Sequence, residues 1–365
     1  MYGPLSLEAS IFVFLHNHGI TMWERPSLEQ LQASLADPSL PIGQRMRAAY
    51  YLRQVHSENE ADQADVVDAL VAGLHNAQHG SLMRHEFAYV LGQLRDERAC
   101  EGLEKALTRD DDCVMVRHEA AEALGAIGAE RSRPCLESLL ADPRPELSQT
   151  CQLALNVMNW RRDGGDPETM PAACACMLNP YSSVDPAPPH PSHADLPWKD
   201  LGDILCDSDQ PLFERYRAMF SLRNRGGKDA VLQLCRALVE DISSALLRHE
   251  VAYVLGQLQH PASVEALEES LRREDEHQMV RHESAEALGA IDGRWEDVER
   301  ILSEFLEDKN DAVRESCLVA LDSGDYWGYN KQVNDDEVET PVGTSFAAQK
   351  NHDASVLVNH FNIQA

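Results

Sequence analysis

The chain repeats itself at two scales, and this repetition limits its fold more than any other feature. The tripeptide Arg-His-Glu occurs four times, with its histidines at His85, His118, His249 and His282. The first two histidines are 33 positions apart, and so are the last two. Each is followed at a constant distance by Leu-Gly. A period of this length is typical of a solenoid whose unit is a pair of helices.

The longer repeat is a duplication of half of the chain. Segment 82–95 matches segment 246–259 at 11 of 14 positions, and segment 114–127 matches segment 278–291 at 12 of 14. Apolar residues recur at steps of three and four, the period of a helix buried on one face, and no segment alternates with a period of two. The sequence therefore predicts an all-α helical-repeat solenoid in two pseudo-symmetric halves of about four helix pairs each.

Composition suggests where these halves begin and end. The helical pattern stops in a stretch that is crowded with proline and glycine, and the last part of the chain is polar and acidic. We expect an N-terminal extension over 1–26, a first repeat half over 27–160, a linker over 161–197, a second half over 198–322 and a disordered acidic tail over 323–365.

Charge and cysteine content limit the kinds of partner that the protein can bind and the cellular compartment in which we expect it. With 32 basic and 61 acidic residues the formal net charge is −29. Such a charge repels nucleic acid and anionic membranes and attracts cationic partners. The alternative interpretation is that the acidic residues only keep the protein soluble. The nine cysteines include no C-x-x-C pair. No signal peptide or stretch of membrane-spanning length is present. We expect a cytoplasmic monomer that binds neither nucleic acid nor membrane.

The four His-Glu pairs are the residues with the clearest chemistry. Imidazole and carboxylate are ligands for iron, manganese or zinc. Adjacent residues of a helix point about 100° apart, so one pair cannot easily surround an ion. Equivalent helices of adjacent repeats lie roughly 8–10 Å apart, however, so two pairs can converge. A lone pair on a solenoid is ordinarily a solvated surface feature. Because only two of about four units per half carry the pair, a metal site is favoured over a repeat consensus.

Four further residues are candidates for lining such a site. Gly92 and Gly256 stand seven positions after a histidine, on the same face of the predicted helix, where they would leave room for a small ligand. Close approach of two helices is the interpretation that we favour for them. Met115 and Met279 stand three positions before a histidine, where methionine either lines a site or fills the core.

The sequences around the four histidines resemble those of the deoxyhypusine hydroxylase family. The motifs are RHEFAYVLGQL, RHEAAEALGAI, RHEVAYVLGQL and RHESAEALGAI, and the resemblance extends from about Ser27 to Leu321. It implies HEAT-like repeats whose halves face each other across a dimetal site. It also implies a non-haem di-iron monooxygenase that converts deoxyhypusine to hypusine in the precursor of eukaryotic translation initiation factor 5A. The cofactors implied are two Fe²⁺ ions per chain, dioxygen as co-substrate and an external electron donor, since no flavin or nicotinamide fingerprint occurs.

The resemblance also implies a role for each residue of the four motifs. The ligands of one iron would be His85, His118 and Glu119, and those of the other His249, His282 and Glu283. The remaining carboxylates, Glu86 and Glu250, would bind the amines of the substrate. This division agrees with elementary electrostatics, because carboxylates that are not bound to metal can hold a polyamine-like side chain beside the metals.

Two other functional classes are compatible with the same sequence features. Many helical solenoids only bind other proteins, and such a scaffold would contain no stoichiometric metal. A dimetal hydrolase that uses zinc could be built on the same repeats. The metal content and the identity of the metal distinguish these three hypotheses.

Overall fold

The structure, a computed structural model, describes residues 26–165, 179–181, 183–291 and 293–327. Most of the expected N-terminal extension, part of the linker and most of the acidic tail lie outside the described residues. No helix in the described ranges is long and apolar enough to span a bilayer.

The described residues form sixteen α-helices and no strands, which confirms the predicted all-α fold. The first eight are α1 Leu28–Ala36, α2 Ile42–Glu58, α3 Gln63–His75, α4 Gly80–Leu94, α5 Cys100–Thr108, α6 Val114–Ile127, α7 Arg133–Ser138 and α8 Pro145–Arg162. The second eight are α9 Trp198–Cys206, α10 Leu212–Arg225, α11 Gly227–Glu240, α12 Ala245–Leu258, α13 Val264–Arg272, α14 Gln278–Gly289, α15 Trp295–Ser303 and α16 Asp311–Trp327. The last helix thus continues into the segment expected as tail.

Each half contains four helix pairs in two layers. The second helices of successive pairs pack side by side, in the orders α2–α4–α6–α8 and α10–α12–α14–α16. Glycine permits the closest of these contacts. A Cβ atom at Gly92 would lie 2.8 Å from the Cα atom of Ala123, and one at Gly256 would lie 3.1 Å from the Cα atom of Ala287. A side chain at either glycine would therefore force the helices apart.

A recurring arginine joins the two helices of a repeat. Its Nε donates to the carbonyl oxygen ten residues earlier, in the last turn of the first helix, over 2.7–2.9 Å. This bond satisfies a carbonyl that has no partner within its own helix. The arginines are Arg84, Arg117, Arg215 and Arg281. Three of the four immediately precede a histidine of the motifs, so the same contact sets where those histidines lie.

The two halves meet at both ends. Helix α8 contacts α10 and α12, and α16 contacts α2 and α4. Ser244 Oγ donates to Gln149 Oε1 across one junction over 2.7 Å, and Arg47 pairs with Asp322 across the other. The helices that carry the motifs, α4 and α6 in one half and α12 and α14 in the other, consequently face each other.

Candidate metal centre

The fold brings the four motif histidines of both halves into one buried cluster. Within the first half the ring centres of His85 and His118 are 5.6 Å apart, and within the second half those of His249 and His282 are 5.4 Å apart. Across the halves, His85 lies 5.3 Å from His282 and 6.1 Å from His249, and His118 lies 5.2 Å from His249. The distances between the halves are therefore similar to those within a half.

Two carboxylates lie beside the imidazoles. Glu119 Oε2 is 3.1 Å from His85 Nε2 and 3.5 Å from His118 Nε2. Glu283 Oε2 is 3.6 Å from His249 Nε2. Each belongs to the second His-Glu pair of its half, for which the family resemblance implies a ligand role.

Two sets of three donor atoms lie within 4.8 Å of one another in the described residues. One set is His85, His118 and Glu119, all in the first half and identical to the trio expected around one ion. The other is His85, His249 and His282, which spans the halves. His85 belongs to both sets, and Glu283 to neither. The assignment of each ligand to one ion stays a prediction.

The histidine nitrogens have the properties that metal ligands require. The Nε2 atoms of His118, His249 and His282 are buried and have no hydrogen-bond partner in the described part of the chain, whereas Nε2 of His85 faces the carboxylate of Glu119. A buried nitrogen without a partner costs free energy, and a bound cation would remove that cost. Burial and the neighbouring imidazoles hold the pKa of His118, His249 and His282 well below its usual value. Neutral imidazole is the form that binds metal, so these three residues fit a metal pair. The pKa of His85 is shifted the other way: burial alone would lower it, but the charges and hydrogen bonds of Glu119 and Glu86 outweigh burial and hold it well above its usual value.

The two carboxylates expected to bind substrate are both buried, but their surroundings differ. Tyr50 Oη donates to Glu86 Oε2 over 2.6 Å. Burial, and then the charges of Asp185 and Glu119, raise the pKa of Glu250 to about 8. A carboxyl in such a place recovers its charge when a cation binds next to it, since an opposite charge stabilises the ionised form.

Four further residues lie beside the cluster and were not among the residues predicted from the sequence. Tyr89, Tyr253, Glu122 and Glu286 each stand four positions after a motif histidine, one turn further along the same helix face. That spacing is visible in the motifs themselves and could have identified them. Glu286 Oε1 lies 3.6 Å from His282 Nδ1, and the hydroxyl oxygens of Tyr89 and Tyr253 lie 3.2 Å apart.

The candidate lining residues are all packed within the helical layers. Met115 and Met279 are fully buried in the hydrophobic core. Gly92 and Gly256 make the helix contacts described above, as the favoured interpretation required. A role for these four residues in lining the site stays a prediction.

Known proteins share both the fold and the sequence of this chain. Residues 67–156, 199–289 and 248–322 match the family described as HEAT repeats. Deoxyhypusine hydroxylase of Mus musculus is 44% identical, over 82% of this chain and 92% of the mouse protein. The Homo sapiens protein of that name is 42% identical, over 81% of this chain and 90% of the human protein.

A solved structure agrees with these sequence matches. The structure of human deoxyhypusine hydroxylase in complex with glycerol superimposes with a TM-score of 0.71 and 42% identity, covering 80% of this chain and 94% of that chain. The HEAT-repeat fold and the family expected from the four motifs are thereby confirmed. On this similarity, which extends over most of both sequences, the chain belongs to the deoxyhypusine hydroxylase family.

Proposed function

We propose that this protein hydroxylates the deoxyhypusine side chain in the precursor of eukaryotic translation initiation factor 5A, and does so with two iron ions. One observation carries the proposal. Four buried histidines, two from each half, form one cluster, each half also contributes a buried carboxylate next to it, Glu86 or Glu250, and three of the four Nε2 atoms have no hydrogen-bond partner among the described residues. A scaffold that only binds other proteins has no use for this arrangement, because its burial costs free energy.

The donor set fits iron. Histidine and carboxylate are the usual ligands of non-haem ferrous ions that activate dioxygen. We assign the ligands by motif to His85, His118, Glu119, His249, His282 and Glu283. Bound Fe²⁺ would supply the redox chemistry by which one atom of dioxygen is inserted into a C–H bond. An external donor must supply the electrons that reduce the other oxygen atom to water.

The residues of the chain itself bind and orient the substrate. Deoxyhypusine carries two amines on a flexible aliphatic chain, and both are cations at neutral pH. Glu86 and Glu250 lie on opposite halves, each next to a motif histidine, and both are nearly excluded from solvent. Holding one amine at each carboxylate would fix the carbons between them beside the metals, which is how positioning accelerates a reaction.

The acidic character of the protein suits this substrate. A net charge of −29 attracts a cationic side chain and a basic protein segment, and it accelerates their encounter at low salt. We further propose that the protein acts as a monomer in the cytoplasm, without nucleic acid or membrane as partner.

Metal content together with turnover tests the proposal. Elemental analysis after anaerobic ferrous reconstitution should give two irons per chain for the wild type, and a large loss for the combined variant His85→Ala with His249→Ala. The wild type should hydroxylate the deoxyhypusine-bearing precursor when dioxygen and a reductant are present. Absence of metal would favour a binding scaffold, and zinc without oxygen-dependent turnover would favour a hydrolase.

A further inference from the structure

The two carboxylates that we expect to bind substrate come from equivalent positions of a duplicated chain, whereas the substrate itself is unsymmetrical. Glu86 and Glu250 each immediately follow a motif histidine. Deoxyhypusine carries a secondary amine within its side chain and a primary amine at its end. Two identical carboxylates would accept this side chain in either direction, and different carbons would then lie beside the metals. A difference between the two carboxylates is therefore needed to set one direction of binding.

The two carboxylates differ in their hydrogen bonds. Both oxygens of Glu86 have a partner, since Oε1 lies 3.1 Å from His85 Nδ1 and Oε2 accepts from Tyr50 Oη over 2.6 Å. Neither contact has a counterpart in the second half. Within the described ranges no group donates a hydrogen bond to the Glu250 carboxylate, and Nδ1 of His249 likewise has no hydrogen-bond partner there.

The tyrosine contact is missing from the second half because of a single side chain. Helices α2 and α10 align with Arg47 opposite Arg217, which places Tyr50 opposite Phe220. Both aromatic side chains are buried. Phe220 has no hydroxyl group, and its ring lies 4.6 Å from the guanidinium carbon of Arg223 instead. Tyrosine in one half and phenylalanine in the other thus make the two carboxylates unequal.

The hydrogen bonds of Glu86 determine what kind of amine suits it. Rotation of the carboxylate would break both bonds, so an amine that binds there does not have to order it. An ionised carboxylate accepts at about four positions, and His85 and Tyr50 occupy at least two of those of Glu86. At most about two remain, which matches the two N–H groups of a protonated secondary amine. Glu250 keeps its acceptor positions for the three N–H groups of a primary ammonium.

We propose that Tyr50 is a positioning residue that holds Glu86 as the anchor of the secondary amine, so that deoxyhypusine binds in one direction with its terminal amine at Glu250. The inference rests on the proposed function, because it takes deoxyhypusine as the substrate. Tyr50 acts through Glu86, and its hydroxyl group distinguishes two carboxylates that the duplication would otherwise leave alike.

Isothermal calorimetry with two peptides tests the direction of binding without relying on activity. Both peptides have the sequence of the precursor around the modified lysine. One carries deoxyhypusine, and the other carries Nε-butyl-lysine, which keeps the secondary amine and lacks the terminal one. They are titrated into the ferrous-reconstituted full-length protein without dioxygen, so that no turnover occurs. Tyr50→Phe, which keeps the shape of the side chain, should weaken the binding of both peptides by the same factor of about 3 to 10, the range for one net hydrogen bond.

Two further variants separate positioning from a general structural effect. In the Glu86→Ala background, Tyr50→Phe should not weaken binding any further, because no carboxylate is left for Tyr50 to hold. Tyr216→Phe is the matched control. Tyr216 is also buried, and its hydroxyl group donates to the backbone oxygen of Leu246 over 3.2 Å, so this variant should bind both peptides as the wild type does.

The possible outcomes distinguish this inference from the proposed function. If Tyr50→Phe weakens only the deoxyhypusine peptide, the terminal amine lies at Glu86 and the proposed direction is wrong. If it changes neither affinity, or still weakens binding in the Glu86→Ala background, Tyr50 is not a positioning residue. In these cases the proposed function stands, provided that the wild type binds the deoxyhypusine peptide more tightly than the unmodified lysine peptide. If the wild type binds these two equally, the proposed function and this inference are both wrong.

Discussion

The hydroxyl oxygens of Tyr89 and Tyr253 lie 3.2 Å apart, although the two residues occupy equivalent positions in opposite halves of the duplicated chain. The contact joins two positions that are related by the approximate twofold symmetry between the halves. Tyr89 lies one helical turn from His85, and Tyr253 lies one helical turn from His249. Close contact between equivalent residues shows how tightly the halves approach at the metal centre.

The tyrosine pair should make a measurable contribution to stability. In a double-mutant cycle with Tyr89→Phe and Tyr253→Phe, we expect a coupling energy of about 0.5–1.5 kcal/mol, the usual value of one net hydrogen bond. Urea unfolding of the four proteins gives this energy. The matched cycle of Tyr89→Phe with Tyr216→Phe should be additive, because Tyr216 donates to Leu246 O instead. Additive behaviour of the first cycle would contradict the contact.

His85 and His118 should control the same iron. In the proposed assignment they bind one ion together with Glu119, and the donor atoms of these three residues lie within 4.8 Å of one another. We therefore expect His85→Ala and His118→Ala each to retain about one iron per chain, since a truncated ligand set binds metal weakly. Elemental analysis of reconstituted protein measures the iron content of both variants. Loss of both irons in His85→Ala but of one in His118→Ala would show instead that the two ions share His85.

Glu86 should affect the substrate and not the metal. Glu86→Gln keeps an oxygen that can accept from Tyr50 Oη, but it removes the charge that would bind an amine. Loss of a charge-assisted hydrogen bond of about 1.5–3 kcal/mol predicts a decrease of roughly 10- to 100-fold in kcat/KM. Steady-state kinetics and iron content should be measured on the same preparation. A variant with lower iron content would instead place Glu86 among the ligands.

His193 should make the stability of the protein depend on pH. Burial, and then the charges of His190 and Arg217, lower its pKa to about 4, and it hydrogen-bonds Ser221 Oγ over 2.9 Å. The unfolded chain takes up this proton near pH 6.5, so between pH 6.5 and 4 it binds more protons than the native state. The free energy of unfolding should therefore fall, by about 1–3 kcal/mol, as the pH is lowered through this range.

Comparison with His193→Gln isolates the contribution of His193. Glutamine can still hydrogen-bond Ser221 but does not titrate, so the decrease in unfolding free energy between pH 6.5 and 4 should be smaller in the variant than in the wild type. Urea denaturation at a series of pH values measures both curves. Curves of the same shape would mean that the protonation of His193 is not coupled to folding.

The sequence alone determined the repeat architecture and the residue types of the site. Helical period, the 33-residue spacing and the duplication are local regularities, and each repeat must bury its apolar face against the next, so they predict stacked helix pairs. The motif histidines could be identified because equivalent positions in stacked repeats lie side by side. Tyr89 and Tyr253 have an equally regular spacing, four positions after His85 and His249, but a buried tyrosine on a helix face is ordinarily part of the core, so the spacing alone does not mark these residues as part of the site.

Only the tertiary structure decided how the halves close and where the linker packs. The sharing of His85 between two donor sets depends on the distance between α4 and α12, which no periodicity within a half encodes. Asp185 resembles any acidic residue of a proline-rich linker until the buried guanidinium of Arg223 is placed beside it. The physical reason is that repeat contacts are local and recur along the sequence, whereas contacts between the halves occur once and join residues whose spacing follows no rule.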